Sequence, residues 1–258
     1  LPTLVSWPGY STQAELVELG ADPTMYSQLG ARLKGNPGNL DVIKHRLAGV
    51  QDEGSQLVAQ IFSKVAAQSK RWLDLCAGPG GKAALLSSIA QENNKEFTAN
   101  EVSQPRAELV RQVVGSARVW VGDGREIASH GELFDAILAD VPCTGLGALR
   151  RRPEVRWRRT VTDLRALTAL QRELSDSAVS VLADGGLFAY ATCSPHFAET
   201  TVAVADILKA HPELEQIDLA PFLPEGLNSA MRGKSLSLWT HRHQSDSMFM
   251  AVFRKKGK

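Results

Sequence analysis

Cysteine is scarce in this 258-residue chain: Cys76, Cys143 and Cys193 are all there are. Three is too few and too odd a number for a disulfide framework, and none stands in a C-x-x-C pair that could hold zinc. A reducing cytoplasm is therefore the expected setting, with no structural metal. Long apolar runs are missing too. No stretch approaches membrane-spanning length and no basic-then-apolar leader opens the sequence, so the chain reads as soluble and unexported. Excess charge is also absent: 29 Lys and Arg against 28 Asp and Glu leave +1, and the total announces no nucleic-acid partner. There are no internal repeats and no low-complexity tracts. The first residue is Leu1 rather than Met, which leaves room for missing upstream sequence.

What is present is organised around Arg71 to Ala90, RWLDLCAGPGGKAALLSSIA. An apolar run, Trp72 to Cys76, breaks into Gly78-Pro79-Gly80-Gly81 and resumes as a helix-forming pattern, which predicts strand, tight turn and helix. Glycines there allow close approach of backbone to a ligand, and the free N–H groups of the following helix face the same place. The turn is neither G-x-G-x-x-G nor G-x-x-x-x-G-K-[ST], because only two residues separate Gly78 from Gly81 and Ala83 stands where Ser or Thr is needed. Asp74 to Lys82, DLCAGPGGK, closely resembles the first motif of the Sun/Fmu-type RNA cytosine-5 methyltransferases. The resemblance implies that S-adenosylmethionine is the cofactor and that Cys76, Ala77, Gly78, Pro79, Gly80, Gly81 and Lys82 cradle it.

The length suits one sizeable α/β domain with a smaller appendage. Residues 1–50 read as the appendage, with a short apolar piece (Leu4 to Trp7), a capping box at Thr12-x-x-Glu15 and Gly/Pro/Asn punctuation at 35–39. Residues 51–258 read as the main domain, opening with a helix from Leu57 to Ala67. Strands are expected at 71–76, 96–101, 117–121, 133–139 and 186–192, and helices at 81–91, 104–114, 163–183 and 197–210. Such alternation implies a mostly parallel sheet covered on both faces, with ligands at the carboxyl ends of the strands. The family implies the Rossmann-like class I methyltransferase fold, a seven-stranded sheet closed by an antiparallel strand, and makes residues 1–50 a small RNA-contacting subdomain. Related ribosomal-RNA enzymes often carry a further helical RNA-binding domain upstream.

Acids stand at three successive strand ends, Glu101, Asp123 and Asp140. Glu101 lies at the distance beyond the glycines where a carboxylate can accept bonds from ribose hydroxyls. The resemblance assigns Glu101 to the ribose, Asp123 to the adenine amine, Asp140 to the methionine end and the target base, and Arg106 to a further cofactor contact. Two cysteines follow strands beside proline: Asp140-Val-Pro-Cys143 and Thr192-Cys193-Ser194-Pro195. Carbon 5 of cytosine is a poor nucleophile, so its methylation calls for a thiolate that adds to carbon 6 and a base that later removes the carbon-5 proton. Spacing does not say which cysteine attacks. By resemblance Cys193 is the nucleophile and Cys143 assists product release, with Lys82 and Asp140 near the pyrimidine. Cys76 reads as a small buried hydrophobe as regards catalysis.

Arg150, Arg151, Arg152, Arg156, Arg158 and Arg159 against Glu154 give a local +5, a candidate phosphate-contacting patch. Resemblance continues through Arg151-Arg-Pro153, Arg156-Trp157 and Leu170 to Leu174, and then from Leu238 to Phe253. It covers about residues 45 to 254. His241-x-His243 reads as a loop pair, with no thiol or acid at ligand spacing. The expected activity is methylation of cytosine carbon 5 in RNA, small-subunit ribosomal RNA above tRNA or DNA, by a monomer. The rival is a non-catalytic RNA-binding assembly factor on the same fold.

Overall fold

The computed structural model of the chain describes residues 1–257. Among them the first fifty form a four-stranded antiparallel sheet of β1 (Thr3–Ser6), β2 (Ala21–Pro23), β3 (Gly30–Leu33) and β4 (Ala48–Val50), ordered β2-β3-β1-β4, with short helices α1 (Gln13–Glu18) and α2 (Asp41–Lys44). The expected capping box forms: the Glu15 amide donates to the Thr12 hydroxyl, and the Thr12 amide donates to the Glu15 carboxylate at 2.7 Å. The two-residue period of a strand decides where β1 packs. Leu4 enters a small core with Leu16, Ala31 and Leu33, whereas Val5 and, just beyond the strand, Trp7 join the main core.

Helix α3 (Glu53–Val65) begins four residues earlier than Leu57 because the Asp52 carboxylate accepts the Gly54 amide and caps it. Then come β5 (Arg71–Asp74), α4 (Gly81–Glu92), β6 (Glu96–Glu101), α5 (Gln104–Arg111), β7 (Arg118–Val121), β8 (Phe134–Asp140), α6 (Val155–Arg158), α7 (Val161–Ser180), β9 (Leu182–Thr192), α8 (Thr201–Ala210), β10 (Leu214–Ile217), β11 (Met231–Arg232), β12 (Ser235–Ser237), α9 (Thr240–His243) and β13 (Phe249–Lys255). Strands β7-β6-β5-β8-β9 are parallel, and β13 adds antiparallel to β9. Strand β10 pairs with β13, completing the seven-stranded pattern, and the short β11–β12 hairpin extends the sheet to nine.

The apolar runs that fill β5, β8 and β9 are buried on both faces, as a parallel sheet sandwiched by helices requires. Leu73, Ile137 and Phe188 pack toward one helical layer, and Trp72, Ala136, Leu138 and Ala189 toward the other, where the Trp72 ring meets Phe62 edge-on at 5.5 Å. Among the described residues no helix is long and apolar enough to cross a membrane.

Two expectations are corrected. The helix placed at 197–210 is interrupted. Phe197–Glu199 forms a single 3-10 turn, Thr200 leaves helical geometry at φ −130°, ψ −96°, and α8 starts at Thr201, because Glu199 is drawn inward to bond the loop after β8. The supposed loop pair His241 and His243 lies on α9, where buried His243 accepts the Trp239 amide at 2.8 Å.

Candidate active site

At the carboxyl end of β5 the chain turns from strand to helix in six residues. The Leu75 amide still bonds Leu138 and the Ala77 amide bonds Asn100, at 2.8 and 2.9 Å, so the turn stays tied to both neighbouring strands. Gly78 and Gly80 adopt φ of +57° and +102°, a region costly for other residues. At Gly80 a side chain also lacks room, since a Cβ would lie 2.9 Å from a Val113 methyl. The turn opens onto a cavity of about 530 Å³.

Of the expected cradle, Cys76, Ala77, Gly78, Pro79, Gly81 and Lys82 line that cavity, and Gly80 sits behind it as the turn's packing point. Glu101, Arg106, Asp123 and Asp140 also line it. Glu101 is buried at the end of β6, accepts the Ser103 amide at 2.9 Å and pairs with Arg106 at 2.6 Å. Asp123 accepts both the amide and the guanidinium of Arg125, which together hold its carboxyl below the usual range. Val102, Leu170 and Leu174 supply apolar wall on the same side.

Several lining residues are not among those expected from the sequence. Arg125 is one, its role visible only in the pair it makes across to Glu173 at 2.8 Å. Asp74 is another, although its position as a strand-end acid was a signal that could have been used. It is buried, both carboxylate oxygens lack a hydrogen-bond partner, and burial together with the charge of Asp140 pushes it up to about 7 despite the opposing charge of Lys82. An orphaned buried carboxylate in a cavity wall is expensive unless a ligand brings it a donor or a cation.

Beyond Asp74 lies Lys82, whose ammonium donates to Asp140 at 2.7 Å. Burial alone would lower its pKa, but the charge and bond of Asp140 outweigh it and raise it. The two cysteines are not part of the cavity wall, and their sulfurs lie 3.3 Å apart. Cys143 is buried and shares a hydrogen bond with Cys193, in which it is the donor whenever Cys193 is the thiolate. That bond, helped by Lys82 and opposed by burial and Asp140, lowers the Cys193 thiol, and the same bond plus burial raises Cys143 well above the ordinary range. Burial and the surrounding carboxylates push Cys76 up as well, as suits an unreactive thiol.

The six arginines do not act as one patch. Arg150 pairs with buried Asp52, Arg151 with buried Asp246, and Arg159 donates to the Thr144 carbonyl at 3.1 Å. Those three are structural ties, because Asp52 and Asp246 are buried close together and need cations. Arg152, Arg156 and Arg158 are exposed and make no ion pair among the described residues. Trp157, 82% exposed, stands between the last two with the Arg156 guanidinium 5.3 Å from its ring centre.

A doubly covered parallel sheet, a glycine turn into a helix and four acids around one cavity define a Rossmann-like methyltransferase, the class whose cofactor is S-adenosylmethionine. The acceptor set fits that molecule: carboxylates for ribose hydroxyls, an adenine amine and an ammonium, with an apolar wall for the ring. The chain belongs to the 16S rRNA methyltransferase RsmB/F family, whose model matches residues 64–254. It is 45% identical over 261 residues to a Mycobacterium tuberculosis protein named as a methyltransferase, covering 98% of this chain and 56% of that one. It is 33% identical over 214 residues to ribosomal RNA small subunit methyltransferase B of Pseudomonas putida, covering 78% of this chain and 48% of that one. The chain thus spans about half the length of these relatives. In fold it resembles a methyltransferase homologue from Pyrococcus horikoshii, with a TM-score of 0.77 and 23% identity over 99% of this chain and 87% of that one. NSun6 from the same organism, solved with SFG, gives 0.74 and 21% over 89% and 60%.

Proposed function

We propose that this chain is the catalytic part of an RNA cytosine-5 methyltransferase that acts on small-subunit ribosomal RNA, with Cys193 as nucleophile and Cys143 assisting release. Residues 51–258 are the methyltransferase domain on this reading, and residues 1–50 a small subdomain against which RNA also rests. The observation that carries it is the thiol pair, 3.3 Å apart, one lowered and one raised, near the Lys82–Asp140 pair in the wall of the cofactor cavity. An enzyme methylating an amine or hydroxyl has no use for two such thiols.

S-adenosylmethionine, when bound, supplies an electrophilic methyl group. Glu101 with Arg106 takes the ribose side, Asp123 the adenine side, and Asp74 the amino-acid ammonium. Lys82 and Asp140 present a donor and an acceptor to the edge of a cytosine. The Cys193 thiolate adds to carbon 6, and the resulting enamine places its electrons on carbon 5 for methylation. The carbon-5 proton then leaves to a base, the carbon–sulfur bond breaks and its electron pair returns to Cys193. Cys143 is the group at hand for that proton. In the adduct Cys193 carries no charge, and two of the causes that raise Cys143 disappear.

Arg152, Arg156 and Arg158, with Trp157 among them, suit RNA: cations for phosphates and an exposed ring for a base.

The test is a pair of substitutions. Cys193→Ala is expected to bind cofactor, transfer no methyl and form no conjugate. Cys143→Ala is expected to transfer methyl and stall as a labelled protein–RNA conjugate that survives denaturing electrophoresis. The reverse pattern makes Cys143 the nucleophile, and full activity in both variants would falsify covalent catalysis.

A further inference from the structure

We propose that Glu199, acting through Thr144, is a positioning residue that holds Cys143 in register with Cys193 for the release half of the reaction. The proposal rests on the covalent reading above and concerns residues that reading leaves idle.

Glu199 is wholly buried and makes no ion pair among the described residues. A carboxylate in that position costs much unless several donors surround it. Three do. The Thr144 amide donates at 2.8 Å, the Thr144 hydroxyl at 2.5 Å and the Gln171 side-chain amide at 3.0 Å. Gln171 is itself held by the Tyr190 hydroxyl at 3.0 Å and donates also to the Pro142 carbonyl at 2.9 Å. The residues on either side of Cys143 are thus gripped from one buried carboxylate. The grip interrupts the helix after β9 at Thr200, so local geometry was given up for it.

The same network reaches the other cysteine. The Thr144 hydroxyl lies 3.1 Å from the Ser194 hydroxyl. A hydroxyl has one proton, and Thr144 spends its own on Glu199, so Ser194 donates to Thr144. The chain Ser194 to Thr144 to Glu199 therefore has one direction and joins the residue after Cys193 to the residue after Cys143. A second tie runs through backbone. The Gly147 amide donates to the Cys193 carbonyl at 2.9 Å, in a contact so close that a Cβ on Gly147 would lie 2.7 Å from that oxygen.

Addition to carbon 6 and methyl transfer use Cys193 as the only bonding sulfur, and Cys143 contributes to them no more than the hydrogen bond that lowers the Cys193 thiol. Release needs a base at the carbon-5 proton while sulfur is still bonded to carbon 6, so it needs the Cys143 sulfur to stay beside Cys193. In that step Cys143, which gives its own proton to solvent once Cys193 is bonded to carbon 6, takes the carbon-5 proton as a thiolate, the carbon–hydrogen pair becomes the carbon 5–carbon 6 double bond, and the carbon–sulfur pair leaves as the Cys193 thiolate. A looser clamp therefore slows release and spares transfer.

Thr144→Val keeps shape and removes the bridging hydroxyl. Its first-turnover methyl transfer to small-subunit ribosomal RNA is expected to stay within about threefold of the parent, while steady-state kcat falls about tenfold or more and a labelled conjugate accumulates. KM for RNA is expected to hold; the melting temperature is expected to fall somewhat, because buried Glu199 loses one of its donors, and the rates are compared well below it. Thr144→Ser restores the hydroxyl and is expected to restore release, and Glu199→Gln is expected to shift kcat in the same direction as Thr144→Val. Parent-like kcat with no conjugate in both Thr144→Val and Glu199→Gln overturns the clamp, as does an equal loss of first turnover and steady state. Cys143→Ala run alongside separates the two ideas. If it too gives no conjugate, the covalent reading has failed; if it stalls while Thr144→Val does not, only the clamp has.

Discussion

Asp74 ends a four-residue strand with both carboxylate oxygens buried and unbonded, and burial with the charge of Asp140 pushes it up to about 7 from an ordinary 3.8. A carboxyl raised by folding stabilises the fold in its neutral form. That contribution is fully present below about pH 4 and is lost as pH rises through about 7. Asp74→Asn keeps the shape without the charge. Thermal melting of the cofactor-free variant is expected to show a flatter pH dependence between those limits than the parent. Pairing with an ammonium needs the ionised form, so S-adenosylmethionine affinity in the parent is expected to rise from pH 6 to 8, with proton release visible in calorimetry across buffers. The variant is expected to lose both the slope and about 1–3 kcal/mol of binding. An unchanged slope in Asp74→Asn assigns the titration to another group.

The segment between β8 and α7 shows why charge counts mislead at the level of an element. Ten residues carry six arginines, yet Arg150 and Arg151 neutralise buried Asp52 and Asp246, and Arg159 ties down the Thr144 carbonyl. Two kinds of substitution are therefore expected to separate. Removing Arg152, Arg156 and Arg158 together is expected to reduce RNA affinity and flatten its salt dependence by up to about three units of log–log slope, with melting unchanged. Arg151→Ala leaves buried Asp246 with only the Arg150 guanidinium, at 3.6 Å, and is expected to cost stability on the order of 3 kcal/mol. A triple variant with the parent's salt slope removes this segment from the RNA surface. Trp157→Ala is expected to weaken RNA binding without changing that slope, because stacking releases no counterions.

In the whole molecule the N-terminal sheet is joined to the main core through the start of α3. Glu53 is buried and accepts the Tyr26 and Ser27 amides at 2.6 and 3.1 Å and the Arg32 guanidinium at 3.2 Å, while the Gln56 side-chain amide donates to the Leu4 carbonyl. Val5 and Trp7 add apolar contact across the same seam. Glu53→Ala strands the buried Ser27 amide and the half-buried Tyr26 amide and is expected to destabilise by about 2–4 kcal/mol. Limited proteolysis is expected to cut within residues 1–50 first. Simultaneous melting and cutting of both parts in Glu53→Ala argues against the seam's importance.

Elements whose signals are local were legible in the sequence: the glycine turn at 78–81, the capping box at Thr12, the alternation of strand and helix, and the acids at strand ends, since period, turn chemistry and caps act over a few residues. The DLCAGPGGK motif carried the family with it. Which arginines are free, which cysteine is lowered, why Asp74 is raised and what Glu199 does were decided only by tertiary structure. Each depends on a partner far along the chain: Asp246 for Arg151, Cys143 for Cys193, Asp140 for Asp74 and Thr144 for Glu199. Burial and charge fix these properties over a few ångströms of space, and one residue's neighbours in space are not set by its neighbours in sequence.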